Sequence, residues 1–344
     1  MAKQRIDADL GATAQRGARV VGLELLDALG KAHERYVAGE PNALHDVRVA
    51  VRRLRTWVRA YRPVLDDTVD KRSRRSLKKL AEDTAVARDA EVALEMLGEL
   101  PAPPPRMRSG HADLQRRLER EAARSRDETD DALAESIPGV VERLTREMSY
   151  YSIDVPVDGE PRAETMAEFT ADVVERHGER LARALDELDE RLKDADGEPP
   201  DPDEMHDARI SAKRLRYIVE RVSPKSDAGA ALIERLTSLQ DTLGEFRDAR
   251  ALADRALAEI GRSARSDSRA RARALLSSAD VPADGLRPAR SRVRPGLMQV
   301  ARGADARARE AWQRFAVGWP HSGGVEQLRA DVAKVVDGLT SDAS

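Results

Sequence analysis

The sequence predicts an all-α protein of two related helical bundles, and three observations carry that prediction. Apolar residues recur at three- and four-residue spacings through most of the 344-residue chain, and few runs alternate with the period of a strand. Ala, Leu, Arg and Glu dominate, all good helix formers, while aromatics make up 3%. A block of residues beginning at His45 returns in order 161 positions later, the mark of an internal duplication.

Element by element, a first helix is expected over 16–38. The second lies in LHDVRVAVRRLRTWVRAYRP, residues 44–63, where Val47, Val51, Leu54, Val58 and Tyr61 form one apolar stripe. Helices follow over 71–98 and 111–134, separated by PAPPPRMRSG (101–110), whose prolines make a loop. YYSIDVPVDGEPR (150–162) reads as the joint between two halves. The second half carries helical periods over 164–193, 203–222, 229–260, 264–278 and 298–317, and VPADGLRPARSRVRPG (281–296) mirrors the first proline-rich loop. A last amphipathic piece, 324–339, either docks or frays. About four helices per half suggest two four-helix bundles related by a pseudo-twofold axis. The first bundle is expected over 1–150, a linker over 151–163, the second bundle over 164–320, and a tail or short helix over 321–344.

The repeat is legible residue by residue. His45-Asp46-x-Arg48 returns as His206-Asp207-x-Arg209, Arg52 as Lys213, and Arg53-Leu54-Arg55 as Arg214-Leu215-Arg216. Ala87-Arg88-Asp89-Ala90 is echoed by Phe246-Arg247-Asp248-Ala249. Pro41 and Pro202 stand where a helix tolerates proline, in its first turn, with Asp201 available as a cap; Pro63 and Pro224 mark the ends. Each marked helix is thus expected to begin four residues before its histidine.

Composition narrows the function. Lys+Arg is 59 against Asp+Glu 62, a net charge of −3, so attraction to a polyanion must come from where the charges sit. All but nine of the 59 basic residues are arginine, whose planar fork matches phosphate oxygens. The absence of cysteine excludes disulfides, thiolate metal sites and cysteine nucleophiles. No 18-residue apolar run occurs and the opening MAKQRIDADLGATAQRG lacks a signal-peptide core, so a cytoplasmic protein without a membrane partner is expected.

The charges fall in rows. His45, Arg48, Arg52, Arg55 and Arg59 are spaced three and four apart, as are His206, Arg209, Lys213 and Arg216; Glu220 ends the second row where Arg59 continues the first. Like charges about 5–6 Å apart on a helix repel by a few tenths of a kcal/mol per pair. A linear polyanion lying along each row would relieve that repulsion; the alternative is a solvated face, which the in-register repetition disfavours. The histidines, at helix N-termini, read as phosphate hydrogen-bond donors. Asp46 and Asp207 either complement the helix dipole or orient an arginine.

The twice-repeated H-x-x-R-x-x-x-[RK]-R-L-R helix, each copy followed by an R-D-A segment, resembles the CHAD family, the conserved histidine α-helical domain, over roughly 16–317. The resemblance implies two four-helix bundles around a basic central groove or pore, binding of inorganic polyphosphate without catalysis, and association with polyphosphate granules. It places polyphosphate contacts at His45, Arg48, Arg52, Arg55, His206, Arg209, Lys213 and Arg216, with possible additional contacts at Arg59, Arg74, Lys78, Arg88, Arg235 and Arg247. Arg88-Asp89 and Arg247-Asp248 read equally as structural ion pairs. The arginine-rich region 262–309 either widens the basic groove or forms a surface segment.

Other chemistries fit less well. The R-H-G-E string in VVERHGERL (173–181) suggests a phosphohistidine phosphatase, but that chemistry needs a strand before the histidine and the pattern here is helical. The two His-Asp pairs suggest a metal-dependent phosphohydrolase, yet only six histidines exist and the remaining ones lack repeat partners. No P-loop, dinucleotide fingerprint or triphosphate-tunnel motif is present. No catalytic residue, metal or cofactor is therefore expected. Few aromatics and a negative total charge make nucleic acid the alternative partner rather than the first choice, with a phosphohydrolase behind it.

Overall fold

The computed structural model describes residues 9–40, 42–149, 163–194, 199–201, 203–223, 225–277, 292–319 and 323–341. These residues form α1 (Ala14–Val37), α2 (Ala43–Ala60), a single turn α3 (Arg62–Leu65), α4 (Lys71–Glu99), α5 (Arg108–Ser149), α6 (Met166–Asp194), α7 (His206–Val222), α8 (Asp227–Ser277), α9 (Arg294–Gly318) and α10 (Gly324–Ser341). The fold is all-α, and the one strand-like pairing among the described residues is an isolated bridge, Thr13 to Thr165.

Three boundaries differ from the periodicity. α5 continues through Pro138 to Ser149, and α8 is one helix where two were expected. A lone interior glycine such as Gly261 costs about 1 kcal/mol relative to alanine, which tertiary anchors override. Here Arg294 of α9 reaches the buried Asp267, and its Nε donates to Ser263 Oγ at 3.3 Å, tying the arginine-rich part of α8 in place. α7 starts at His206 itself, because the residues before it form a tighter turn. Glu204 N–H donates to Asp201 O (3.0 Å) and His206 N–H to Asp203 O (3.1 Å), while the Asp201 carboxylate accepts from Asp203 N–H at 3.1 Å. Asp201 therefore closes this turn instead of capping α7. Pro41, Pro202, Pro224, the joint at 150–162 and most of the second proline-rich loop lie outside the described residues.

Two compact units emerge: Met1–Val86 with Glu128–Asp241 and Ala316–Ser344, and Ala87–Asp127 with Thr242–Phe315. Their boundaries fall inside α4, α5, α8 and α9, so each unit draws on both halves of the sequence repeat.

In the first unit α2 packs on α1 and α7, and α6 packs on α1, α7 and α10. The stripe Val47, Val51, Leu54, Val58 and Tyr61 is buried, as are Ala208, Ala212, Leu215 and Val219 of the second copy. Trp57 donates its indole N–H to Ala18 O (2.8 Å) and stacks on Tyr61 with ring centres 3.9 Å apart. The Tyr61 hydroxyl pairs with the Thr170 hydroxyl at 2.8 Å, and burial pushes the phenol well above its ordinary pKa. The start of α6 is a capping box: Glu168 N–H donates to Thr165 Oγ1 (3.2 Å) and Thr165 N–H to Glu168 Oε2 (2.8 Å).

Two glycines mark close helix approaches in this unit. A Cβ on Gly22 of α1 would stand 2.5 Å from Met148 Sδ of α5, and one on Gly178 of α6 would stand 2.7 Å from Val332 Cγ1 of α10. With Gly22 set on Gly178, the buried residues Ala18, Leu25, Leu26 and Leu29 fall on Val174, Leu181, Ala182 and Leu185. α6 thus buries the same pattern of positions around Gly178 as α1 does around Gly22. The glycine of the R-H-G-E string is there for this close helix approach. The final helix docks, burying Val325, Leu328, Val332, Val335 and Leu339.

The second unit centres on Trp312, whose ring lies 6.0 Å from Phe246 and 5.1 Å from Phe315. The starts of α5 and α9 meet at Gly110 and Gly296 in a reciprocal contact. A Cβ on Gly110 would lie 2.0 Å from Val293 O, and one on Gly296 2.1 Å from Met107 O, each the carbonyl three residues before the other glycine. Each glycine thus leaves room for the backbone of the other helix to pass. Gly110→Ala is expected to force these backbones apart and to destabilise the fold by about 2–3 kcal/mol, read as a lowered urea midpoint; an unshifted midpoint would contradict the contact.

Candidate anion-binding site

The site grows from the α2–α7 pair in the first unit. Contacts between the two helices run antiparallel: Arg53 meets Glu220, and Arg59 lies close enough to Arg214 to perturb its guanidinium. These pairs centre on Thr56 and Tyr217, which occupy equivalent repeat positions. The two basic rows therefore belong to neighbouring helices rather than to remote surfaces.

Along the α2 row, His45 is exposed and Arg52, Arg55 and Arg59 are partly or fully exposed. Arg48 differs. It is 3% exposed and its Nε donates to the Thr84 carbonyl at 2.8 Å, so it anchors α2 to α4 from within. Along α7, His206 is exposed and Arg209, Lys213 and Arg216 are half-buried. Asp46 orients an arginine, pairing with Arg35 of α1 at 2.8 Å.

One end of the pair concentrates charge. Arg214 of α7 is pushed down to about 10, first by burial and then by repulsion from Arg59, Arg180 and Arg55, with Asp207 opposing. On α6, His177 is pushed down to about 4 by burial and by Arg180, Arg214, Arg176 and Arg59. Three helices thus converge five guanidiniums and an imidazole. Among the described residues no carboxylate forms an ion pair within 4 Å with Arg55, Arg59, Arg180 or Arg214, whereas Arg35, Arg53, Arg74, Arg216, Arg235 and Arg329 of this unit each have one. Mutual repulsion in a partly desolvated place is costly, and a phosphate group bound there would relieve it.

The opposite end is compensated. Glu220 Oε2 accepts from Arg53 Nη2 at 2.7 Å and Oε1 lies 3.5 Å from Arg216 Nε. Both guanidiniums sit over the Tyr217 ring, 5.6 and 5.4 Å from its centre, and Arg216 also donates to Thr237 Oγ1 at 3.3 Å. Glu24 of α1 lies 3.9 Å from Arg221; burial raises its pKa above the usual carboxylate value, with Arg221 pulling it back.

The supporting positives are engaged elsewhere. Arg74 pairs with Asp66 (2.6 Å), Lys78 with Glu82 (3.5 Å), Arg235 with Asp331 (2.8 Å) and Arg247 with its neighbour Asp248 (2.5 Å). Of the two readings of the second R-D pair, Arg247-Asp248 takes the ion-pair form. The Arg88 side chain lies outside the described residues. Arg214, Arg176, Arg180 and His177 were not singled out by row spacing. The signal was present in R-x-x-x-R at 176–180, but only the approach of α6 to α7 gives it meaning. Among the described residues no group of His, Asp and Glu is placed to hold a metal ion, and no helix is long and apolar enough to cross a membrane.

Comparison with known proteins agrees with this architecture. The family model described as CHAD domain matches residues 21–257. The fold is similar to the crystal structure of the CHAD domain from the plant Ricinus communis, at a TM-score of 0.58 and 18% identity, over 97% of this chain and 96% of that one. It is also similar to PptA from Streptomyces chartreusis, at a TM-score of 0.55 and 16% identity, over 88% of this chain and 100% of that one. No curated protein matches the chain.

Proposed function

The chain belongs to the CHAD domain family, and on that premise we propose that it binds long-chain inorganic polyphosphate without catalysis, at the basic face shared by α2, α6 and α7, and associates with polyphosphate granules. The observation that carries this reading is the set of guanidiniums of Arg55, Arg59, Arg180 and Arg214, gathered without a paired carboxylate among the described residues in a chain whose net charge is −3. His45, Arg52, His206, Arg209 and Lys213 extend the contact along the rows, and Arg48 and Arg216 hold the helices that present them. Guanidinium groups keep their protons at any working pH, so the cluster can hold phosphate oxygens but cannot shuttle protons.

Binding of this kind releases counterions and weakens steeply with salt, by about 0.7 in log affinity per log salt for each neutralised phosphate on a flexible strand. The test is a titration of defined-length polyphosphate against single-stranded RNA of equal charge. Polyphosphate is expected to bind more tightly at every salt concentration, with no phosphate release in the presence or absence of divalent metal. Equal affinities would make this a general polyanion binder, and sustained phosphate release would make it an enzyme.

A further inference from the structure

The duplication makes a prediction that the structure contradicts in one place. Repeat equivalence pairs Arg53 with Arg214, Arg55 with Arg216 and Arg59 with Glu220. An unbroken twofold would therefore build the same anion pocket twice, once around Arg214 and once around Arg53. Instead, Arg59, which crowds Arg214, is replaced at the other end by Glu220, and Glu24 adds a second carboxylate there, 3.9 Å from Arg221.

Resting on the polyphosphate reading, we infer that Glu220 is a resident carboxylate filling the second of two equivalent phosphate subsites, so that the site is open at the Arg214 end and self-occupied at the Arg53 end. The fit at the occupied end supports this. Glu220 is 17% exposed in its side chain and reaches Arg53 Nη2 at 2.7 Å, yet the Nε–H groups of Arg53 and Arg216 remain buried with no hydrogen-bond acceptor among the described residues. A carboxylate has two oxygens. A phosphate group offers more acceptors around a tetrahedral centre and would satisfy donors that Glu220 leaves over. Tyr217 forms a floor beneath both guanidiniums and is 8% exposed, so the two forks stay in place when the carboxylate is removed.

The consequence is polarity. A polyphosphate strand engages fully at one end of the helix pair and is turned away at the other, where Glu220 and Glu24 present negative charge. Glu220 thereby sets how many phosphates the site takes and lowers its affinity below what the repeat could provide.

Glu220→Gln keeps the shape and removes the charge. It is expected to tighten polyphosphate binding about tenfold in 0.1 M salt and to steepen the dependence of log affinity on log salt by about 0.7, as one further phosphate is neutralised. Unchanged affinity and slope in a folded Glu220→Gln protein would overturn the inference while leaving the polyphosphate reading intact. A second variant tests the equivalence itself: Arg59→Glu alone should lose most binding, and adding Glu220→Arg should restore it, with dependence on Arg53 replacing dependence on Arg214. No restoration would count against equivalent subsites. Should wild-type protein bind no polyphosphate, the functional reading fails, and inorganic pyrophosphate decides the inference alone. Calorimetric uptake of one further pyrophosphate by Glu220→Gln relative to wild type supports a self-occupied subsite; equal uptake by the two proteins rejects it.

Discussion

The double charge reversal Arg59→Glu/Arg214→Glu is expected to weaken polyphosphate binding about 100-fold or more, since two charge-assisted contacts worth roughly 1.5–3 kcal/mol each are lost and replaced by repulsion. The salt dependence should fall by about 1.4 in slope, for the same reason that each neutralised phosphate adds to it. The diagnostic feature is the opposite sign of the stability change. Arg214 is held down to about 10 by burial and by its arginine neighbours, so in the unliganded protein its charge is a liability. A carboxylate at 214 would face Arg55 and Arg180, and one at 59 would lie beside α6. The variant should therefore melt higher than wild type by a degree or more, following the usual few degrees per kcal/mol for domains of this size. A residue kept for structure would lose stability on reversal; one kept for binding at the expense of stability gains it. Retained affinity in a well-folded double mutant would remove this cluster from the site.

How much of this was legible in the sequence depends on whether a feature is local to one helix. Helix existence, the buried face of α2 and the duplication follow from period and repetition, and Val47, Val51, Leu54 and Val58 are buried as their spacing demands. Boundaries failed where tertiary contacts override local signals, as at Pro138 in α5 and at Gly261 in α8. Projection on a single helix put Arg48 in a binding row, but a row has width, and the inner edge of this one turns toward Thr84. Arg214 sits one position off the second row, next to Lys213, and gains its neighbours only from the antiparallel α2–α7 contact and from α6. His177 shows the same limit from the other side. Its R-H-G-E string looks like a motif but joins two unrelated causes, a glycine needed against Val332 and a histidine that faces arginines.

That histidine leads to the second large effect, a stability that falls in mild acid and is protected by ligand. His177 is held down to about 4 by burial and by Arg180, Arg214, Arg176 and Arg59, whereas an unfolded histidine titrates near 6.5. The unfolded chain thus takes up a proton that the folded chain refuses. The stabilisation from neutral His177 is complete above pH 6.5 and is lost as pH falls from there toward about 4. Each pH unit between the folded and unfolded titrations is worth about 1.4 kcal/mol, so the loss amounts to at most about 3 kcal/mol. In wild type the melting temperature should drop across that window more than in His177→Gln, which has no such proton to gain. If polyphosphate binds as proposed, its negative charge favours the imidazolium, so binding is expected to draw a proton in and affinity to rise as pH falls from 6.5. Calorimetry in buffers of different ionisation enthalpy measures that uptake directly, and comparison with His177→Gln separates its share from any contributed by His45 and His206. Identical proton uptake in the two proteins would place the bound phosphates away from α6, and the anion site would then have to be drawn along the α2 and α7 rows alone.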